Sequence, residues 1–164
     1  MGLFTLLGKG LQSIFGKPAT YATGEAFEHY CRKFIFTESH FELLQKTHRF
    51  RRSRENYIPS ADPDFRFRDR RSGKIFYVES KYRRSFFKGQ INWCTDKQLG
   101  RYRQCNRDYP VFILLGIGGQ AGNPLRLSLI PLTQAPYNTL YANQVEKFII
   151  PVKRRLYSRL LWRR

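Results

Sequence analysis

Carboxylates are scarce in this chain. Twelve Asp plus Glu stand against thirty Lys plus Arg among 164 residues, a formal net charge of +18. A compact state carrying that charge repels itself unless a polyanion is near, so a nucleic acid is the expected partner. Anionic lipid, or a basic surface serving solubility alone, is the alternative. Cysteine is scarce as well: Cys31, Cys94 and Cys105 form an odd set without CxxC spacing, which argues against a zinc knuckle and against a disulfide framework. They read as reduced, partly buried thiols of a cytoplasmic protein. His29, His40 and His48 lack HExxH spacing and stand apart from the cysteines in sequence, so no zinc site is expected. No apolar run is long enough to span a bilayer, and there is neither an internal repeat nor a low-complexity linker.

Hydrophobic residues make up 41 % of the chain and aromatics 16 %, enough for one folded domain despite the charge. That domain is expected over 18–150, between an N-terminal amphipathic helix (1–17) and a basic, aromatic C-terminal tail (151–164). Leu3, Phe4, Leu7, Leu11, Ile14 and Phe15 recur at roughly helical spacing, as in a helix packed on the domain or on a second copy, or else lying on a membrane surface. The segment is a poor secretory signal, with no basic residue before Lys9 and no clear cleavage site. Leu6 breaks the myristoylation pattern.

Apolar periodicity at Phe27, Tyr30, Cys31 and Phe34 predicts a helix from Thr20 or Thr23 to about Phe36, with Glu28 beside the buried stripe. HFELLQKTHRF fits a helix by its Leu pair or a strand by its alternation, and the strand-rich block that follows favours the strand. Arg49, Arg51, Arg52 and Arg54 are expected in a basic loop. Thr95 and Gln98 have capping-box spacing and open a helix expected to run to about Asn106, limited by Pro110. Val111 to Ile117 and Leu125 to Leu132 read as strands around a loop over Gly118 to Pro124, and Tyr141 to Ile149 as helical.

The most informative stretch is PDFRFRDRRSGKIFYVESKYR, from Pro63 to Arg83. Its period-two alternation predicts two strands around a turn at Ser72-Gly73. If Arg70 to Gly73 form the turn, Asp69 opposes Lys74 and, counting outward, Asp64 opposes Glu79. Phe65, Phe67, Phe76 and Val78 then share one face, while Asp64, Glu79 and Lys81 share the other. Two facing carboxylates repel each other unless a cation sits between them. Mg²⁺ suits such a site, because it takes oxygen ligands and commonly uses one or two carboxylates plus a substrate phosphate.

These residues resemble the PD-(D/E)XK, or restriction-endonuclease-like, nuclease superfamily. Pro63-Asp64 followed by Glu79-Ser80-Lys81 is similar to its core signature. Gly24-Glu25-Ala26-Phe27-Glu28 resembles the G-x-x-F-E of the family's opening helix, and Gln98-Leu99-Gly100-Arg101-Tyr102 resembles the Q-x-x-x-Y of one branch with exonuclease-like and repair-associated members. The resemblance spans roughly Gly24 to Leu132. It implies an α/β fold with a central mixed sheet flanked by helices in the order αβββαβ, and a metal-dependent nuclease hydrolysing DNA phosphodiester bonds in repair, recombination or restriction. Asp64 and Glu79 are then the principal ligands of Mg²⁺, with Mn²⁺ as a substitute, the Ser80 carbonyl is a further ligand, and Glu28 completes the acidic set directly or through water. Lys81 activates the attacking water, and Gln98 and Tyr102 position the scissile phosphate.

Arg66, Arg68, Arg83, Arg84 and Arg101 flank these motifs as expected phosphate contacts. Other readings of the same residues exist: Glu28 pairing with Arg32 or Lys33, Glu79 with Lys81 as a surface pair, Gln98 as the capping residue alone, Tyr102 as a core aromatic. The matching alternatives for function are an inactive nucleic-acid-binding module on the same fold and a basic peripheral membrane protein touching lipid through its termini. On the nuclease reading the partner is DNA and the setting the cytoplasm, in association with the nucleoid. Symmetry favours a homodimer. No separate specificity domain fits the length, so structure or end recognition, or a targeting partner protein, is expected.

Overall fold

The computed structural model describes residues 19–47, 50–52, 57–59 and 62–163. The amphipathic segment 1–17 lies outside them. Helix α1 (Ala19–Tyr30) continues through a π-type turn (Cys31–Ile35) into β1 (Phe41–Lys46), followed by the short β2 (Phe50–Arg52) and β3 (Tyr57–Pro59). Next come β4 (Phe65–Asp69), β5 (Ile75–Arg83), β6 (Gln90–Asn92), α2 (Asp96–Asp108), β7 (Val111–Gln120) and β8 (Asn123–Pro131). The chain closes with β9 (Thr139–Tyr141), α3 (Ala142–Glu146), β10 (Ile149–Ile150) and α4 (Ser158–Leu161).

Six strands form one sheet in the order β1-β4-β5-β7-β8-β10. The β5–β7 pair is parallel and the other pairs are antiparallel. A parallel neighbour needs a crossover, and α2 provides it. The core therefore runs α1, β1, β4, β5, α2, β7, the expected αβββαβ order, in an α/β fold with a mixed central sheet flanked by helices.

The β4–β5 register agrees with the count from the turn: Phe65 opposes Val78 and Phe67 opposes Phe76, and the Asp69 amide donates to the Lys74 carbonyl. Gly73, at φ 72°, makes the positive-φ turn position that side chains with a Cβ rarely occupy. The capping box is present, and α2 runs two residues beyond the expected end.

The chain has two apolar layers, one on each face of the sheet. Phe27, Tyr30, Phe65, Phe67, Phe76, Val78, Phe112 and Leu114 pack together on the α1 side. Trp93, Leu99, Tyr102, Val111, Ile113, Leu115 and Ile117 pack together on the α2 side. This explains the unbroken apolar run of β7, whose alternate residues enter opposite layers. At Gly116 a Cβ would run into the Phe27 ring, so the close approach of α1 to the sheet depends on that glycine.

Other boundaries move. Arg51 and Arg52 lie in a strand paired with Ile58 and Tyr57 rather than in a loop, while Arg49 and Arg54 lie outside the described residues. The loop expected over Gly118 to Pro124 shrinks to a turn, because Gln120 pairs with Asn123. Of Tyr141 to Ile149 only Ala142–Glu146 is helical, since Tyr141 and Ile149 belong to strands. The stretch after the β4–β5 hairpin holds β6, which pairs with β9. Residues 151–163 return to the sheet: Leu156 and Leu161 are buried in the α1-side layer, and Trp162 stands edge-on to Phe76 at 5.7 Å.

Candidate active site

Pro63 and Asp64 sit at the entry to β4, and Glu79-Ser80-Lys81 lie in the middle of β5, so the hairpin register brings the two motifs together. Both carboxylates are buried, Asp64 at 5 % and Glu79 at 3 % exposure. They are joined reciprocally. The Asp64 amide donates to Glu79 Oε2 at 3.2 Å, while Asp64 Oδ2 accepts the Ser80 amide at 2.9 Å and the Ser80 hydroxyl at 2.5 Å. Glu79 Oε1 meets Lys81 Nζ at 2.6 Å, and the Tyr102 hydroxyl donates to the same carboxylate. Burial, followed by the neighbouring Asp64, pushes the Glu79 carboxyl up to about 7, against the opposing pull of Lys81 and Tyr102. Burial first and Glu79 second raise the Tyr102 phenol well above its ordinary range, so it is a fixed donor.

The helices set the walls. Tyr102 projects from α2 between Glu79 and Trp93, its ring stacked on the indole at 5.9 Å and 19°. The indole Nε1 is held by the Tyr137 carbonyl at 2.9 Å. Cys94 lies beside Lys81 and Glu79, and burial pushes its thiol up to about 12, which keeps it an inert neighbour at neutral pH. On the other side, Glu28 of α1 is buried at 3 % exposure and pairs with Lys46 at 3.1 Å. Cys31, fully buried, lies within electrostatic reach of both Asp64 and Glu28.

The structure thus gathers Asp64, Glu79, Ser80, Lys81 and Tyr102 into one cluster. Glu28 stands on the α1 side, and its partner is Lys46 rather than Arg32 or Lys33. Gln98 carries out its capping role, its Oε1 accepting the Thr95 amide at 3.1 Å. Among the described residues, no group of three or more His, Cys, Asp or Glu side chains converges in the manner of a metal cage. The donor set at the hairpin is two carboxylates, Asp64 disfavouring the charge on Glu79. Such a set fits a hard divalent cation that keeps waters and takes few protein ligands.

The expected phosphate contacts divide. Arg84 is exposed. Arg66 is half-buried with its Nε lacking a hydrogen-bond partner. Arg68 is paired with Glu42 at 3.1 Å, and Arg101 with Gln104 at 2.9 Å and Asp62 at 3.4 Å. Arg83 is structural: Nε donates to the Asn92 carbonyl, Nη1 to that of Tyr82 and Nη2 to that of Trp93, tying the end of β5 to the β6 segment.

Three contributors escaped the sequence reading: Lys46 as partner of Glu28, the Ser80 hydroxyl as a brace on Asp64, and Trp93 beneath Tyr102. Lys46 was accessible in principle, because it opposes Phe65 across the β1–β4 pair, next to Asp64.

No family model matches the chain, and no curated protein matches it. Among solved structures the chain is similar to the 1.6 Å structure of Archaeoglobus fulgidus Hjc, a Holliday junction resolvase from an archaeal hyperthermophile. The TM-score is 0.48 and the identity 9 %, covering 68 % of this chain and 83 % of that one. At that identity the likeness is one of backbone path. Among the described residues no helix is long and apolar enough to cross a membrane.

Proposed function

We propose that this chain is a metal-dependent nuclease that hydrolyses DNA phosphodiester bonds, of the PD-(D/E)XK kind and of its Q-x-x-x-Y branch. The observation that carries this reading is the buried Asp64–Glu79 pair with Lys81 Nζ 2.6 Å from Glu79, in the β4–β5 register. Asp64, Glu79 and the Ser80 carbonyl would hold Mg²⁺, or Mn²⁺ in its place, with Glu28 assisting directly or through water. Bound there, the cation would stabilise charge growing on the phosphate and make water a stronger nucleophile.

The chain's own groups do the rest. Lys81 orients the attacking water and offers a positive charge to the phosphate. Tyr102 and the Asp64 amide fix the rotamer of Glu79, and the Ser80 hydroxyl fixes Asp64. Gln98, with its Oε1 held by the cap, keeps its amide N–H groups for a phosphate oxygen. Arg66 and Arg84 lie along the approach. DNA is the partner in this reading, met by a homodimer that addresses both strands, with targeting by DNA structure, by ends or by a partner protein.

The test compares wild type with a folded Lys81→Ala variant on linear, circular and single-stranded DNA, with Mg²⁺, with Mn²⁺ and with chelator. Cleavage only with metal, lost in the variant, is the expected result. If both proteins bind DNA alike and neither cuts, the hairpin charges are a structural pair and the chain is a binding module.

A further inference from the structure

The α1 side of the sheet carries a second concentration of charge, on a segment that leaves β10, whose Ile149 and Ile150 are level with Lys81 and Tyr82 through β8 and β7. The π-type turn after α1 and the segment after β10 form a cleft of about 420 Å³, lined by Lys33, Phe34, Lys153, Arg154, Arg155 and Tyr157. All four cations are exposed, and none makes an ion pair with a carboxylate among the described residues. Two are held against aromatic faces instead, Lys33 Nζ 5.2 Å from the Phe34 ring centroid and the Arg155 guanidinium 5.8 Å from that of Tyr157. The Tyr157 hydroxyl also accepts Arg155 Nε at 3.2 Å.

The cleft is built rather than draped. Lys153 adopts the left-handed region, φ 52°, a conformation disfavoured for a residue with a long side chain and kept only where the surroundings demand it. Its amide donates to the Tyr30 hydroxyl at 2.7 Å. The Leu156 amide donates to the Ile35 carbonyl at 2.9 Å, and Ser158 and Trp162 are anchored on the buried Asp69 carboxylate. Four like charges are thereby fixed side by side, an arrangement that costs stability unless a polyanion neutralises it.

We infer that this cleft is a second phosphate-binding surface for the nucleic acid engaged at the Asp64–Glu79 site, contacting the backbone away from the reacting phosphate. The inference rests on the nuclease reading. From Asp64 to Asp69, which anchors the cleft's C-terminal wall, β4 advances by roughly 17 Å at about 3.4 Å per residue. A B-form duplex covers that span in about five base steps, so an ordinary duplex is longer than the hairpin that separates the site from the Asp69-anchored end of the cleft wall. A lipid surface fits less well, because Leu156 and Leu161 are turned into the core and only Val152 and Leu160 remain as exposed aliphatics in the segment.

The test is a Lys33→Ala/Arg154→Ala/Arg155→Ala variant, which leaves the strained Lys153 and every residue of the hairpin site in place, with folding checked by circular dichroism. Binding of a duplex of about 24 base pairs is measured in chelator across a salt series, and cleavage with Mg²⁺ at varied substrate. The variant is expected to show a slope of log K against log salt shallower by about three. Its affinity should fall on the order of tenfold, with KM raised and kcat unchanged. Equal slopes and equal KM for the two proteins overturn the inference. So does a variant that keeps its duplex binding but loses binding to phosphatidylglycerol vesicles that wild type shows, which would make the cleft a lipid surface. If wild type itself neither binds nor cuts the duplex, the nuclease reading fails first and this inference with it.

Discussion

Glu79 should make the metal-free protein lose stability as the solution becomes neutral. Its carboxyl moves from 4.5 in an unstructured chain to about 7 in the fold, burial being the main cause and Asp64 the second. Below 4.5 the group is protonated in both states and contributes no pH dependence. As pH rises through 4.5 the unfolded chain releases the proton while the folded protein retains it until about 7. The unfolded state therefore gains across that window, and the free energy of unfolding falls. The full displacement corresponds to ~3 kcal/mol, a large part of the stability of a domain this size. Asp69 does not mask the effect. Burial pushes its folded-state carboxyl up, but donors from Ser158, Ser72, Trp162 and the Arg71 amide together outweigh burial and lower it, so its contribution is present above its ordinary range and is lost only in more acidic solution.

The assay is urea denaturation in chelator at about pH 5 and about pH 8, read as midpoint and slope for wild type and Glu79→Gln. Wild type should be less stable at the higher pH by up to ~3 kcal/mol. The Gln variant, with a similar volume and no proton to lose, should be nearly flat across the window and more stable than wild type above it. Mg²⁺ should flatten the wild-type profile, because a cation between the carboxylates favours the charged form. A flat wild-type profile in chelator, or a Gln variant that keeps the wild-type slope, would refute the placement of Glu79 as a strained buried acid.

Asp69→Ala should cost ~3 kcal/mol or more, because it leaves the Ser158 and Trp162 donors without the buried charge that orders them. Thermal melting, together with earlier proteolytic loss of the C-terminal segment, checks this; an unchanged melting temperature and an intact C-terminus would contradict it. Arg83 and Arg84 should separate cleanly despite being neighbours. Arg83→Ala should lower stability by about 1–3 kcal/mol, since three carbonyls lose their donor, and leave the salt slope of duplex binding unaltered. Arg84→Ala should leave stability within about 0.5 kcal/mol and reduce that slope by about one. The reverse pattern would exchange their roles.

The hairpin site was legible because its geometry is local. A turn at Ser72-Gly73 and strict alternation fix which residues oppose each other, and from these Asp64 and Glu79 must meet. The capping box at Thr95 was legible for the same reason, being a four-residue motif. What surrounds them was not. Glu28 meets Lys46 only after the turn through Cys31–Ile35 reverses the chain. The second apolar layer depends on α2 crossing over the sheet, which no window of strand sequence reports. Arg83 and Arg84 look alike in the sequence, yet Arg83 reaches the carbonyls of Asn92 and Trp93 because the end of β6 passes beside it.

The C-terminal segment shows the same limit from the other side. Read as composition, it is a basic, aromatic stretch with no acid, and composition cannot tell a solvated tail from a docked one. What decides is a single carboxylate far away in sequence: Asp69 closes the β4–β5 turn through Ser72 and Arg71 and at the same time holds Ser158 and Trp162. One acid thus couples the turn that sets the register of Asp64 and Glu79 to the segment that carries Lys153, Arg154 and Arg155. In a chain so short of carboxylates, three are buried at 5 % exposure or less on this hairpin, Asp64, Asp69 and Glu79, and they hold its open end and its turn in place.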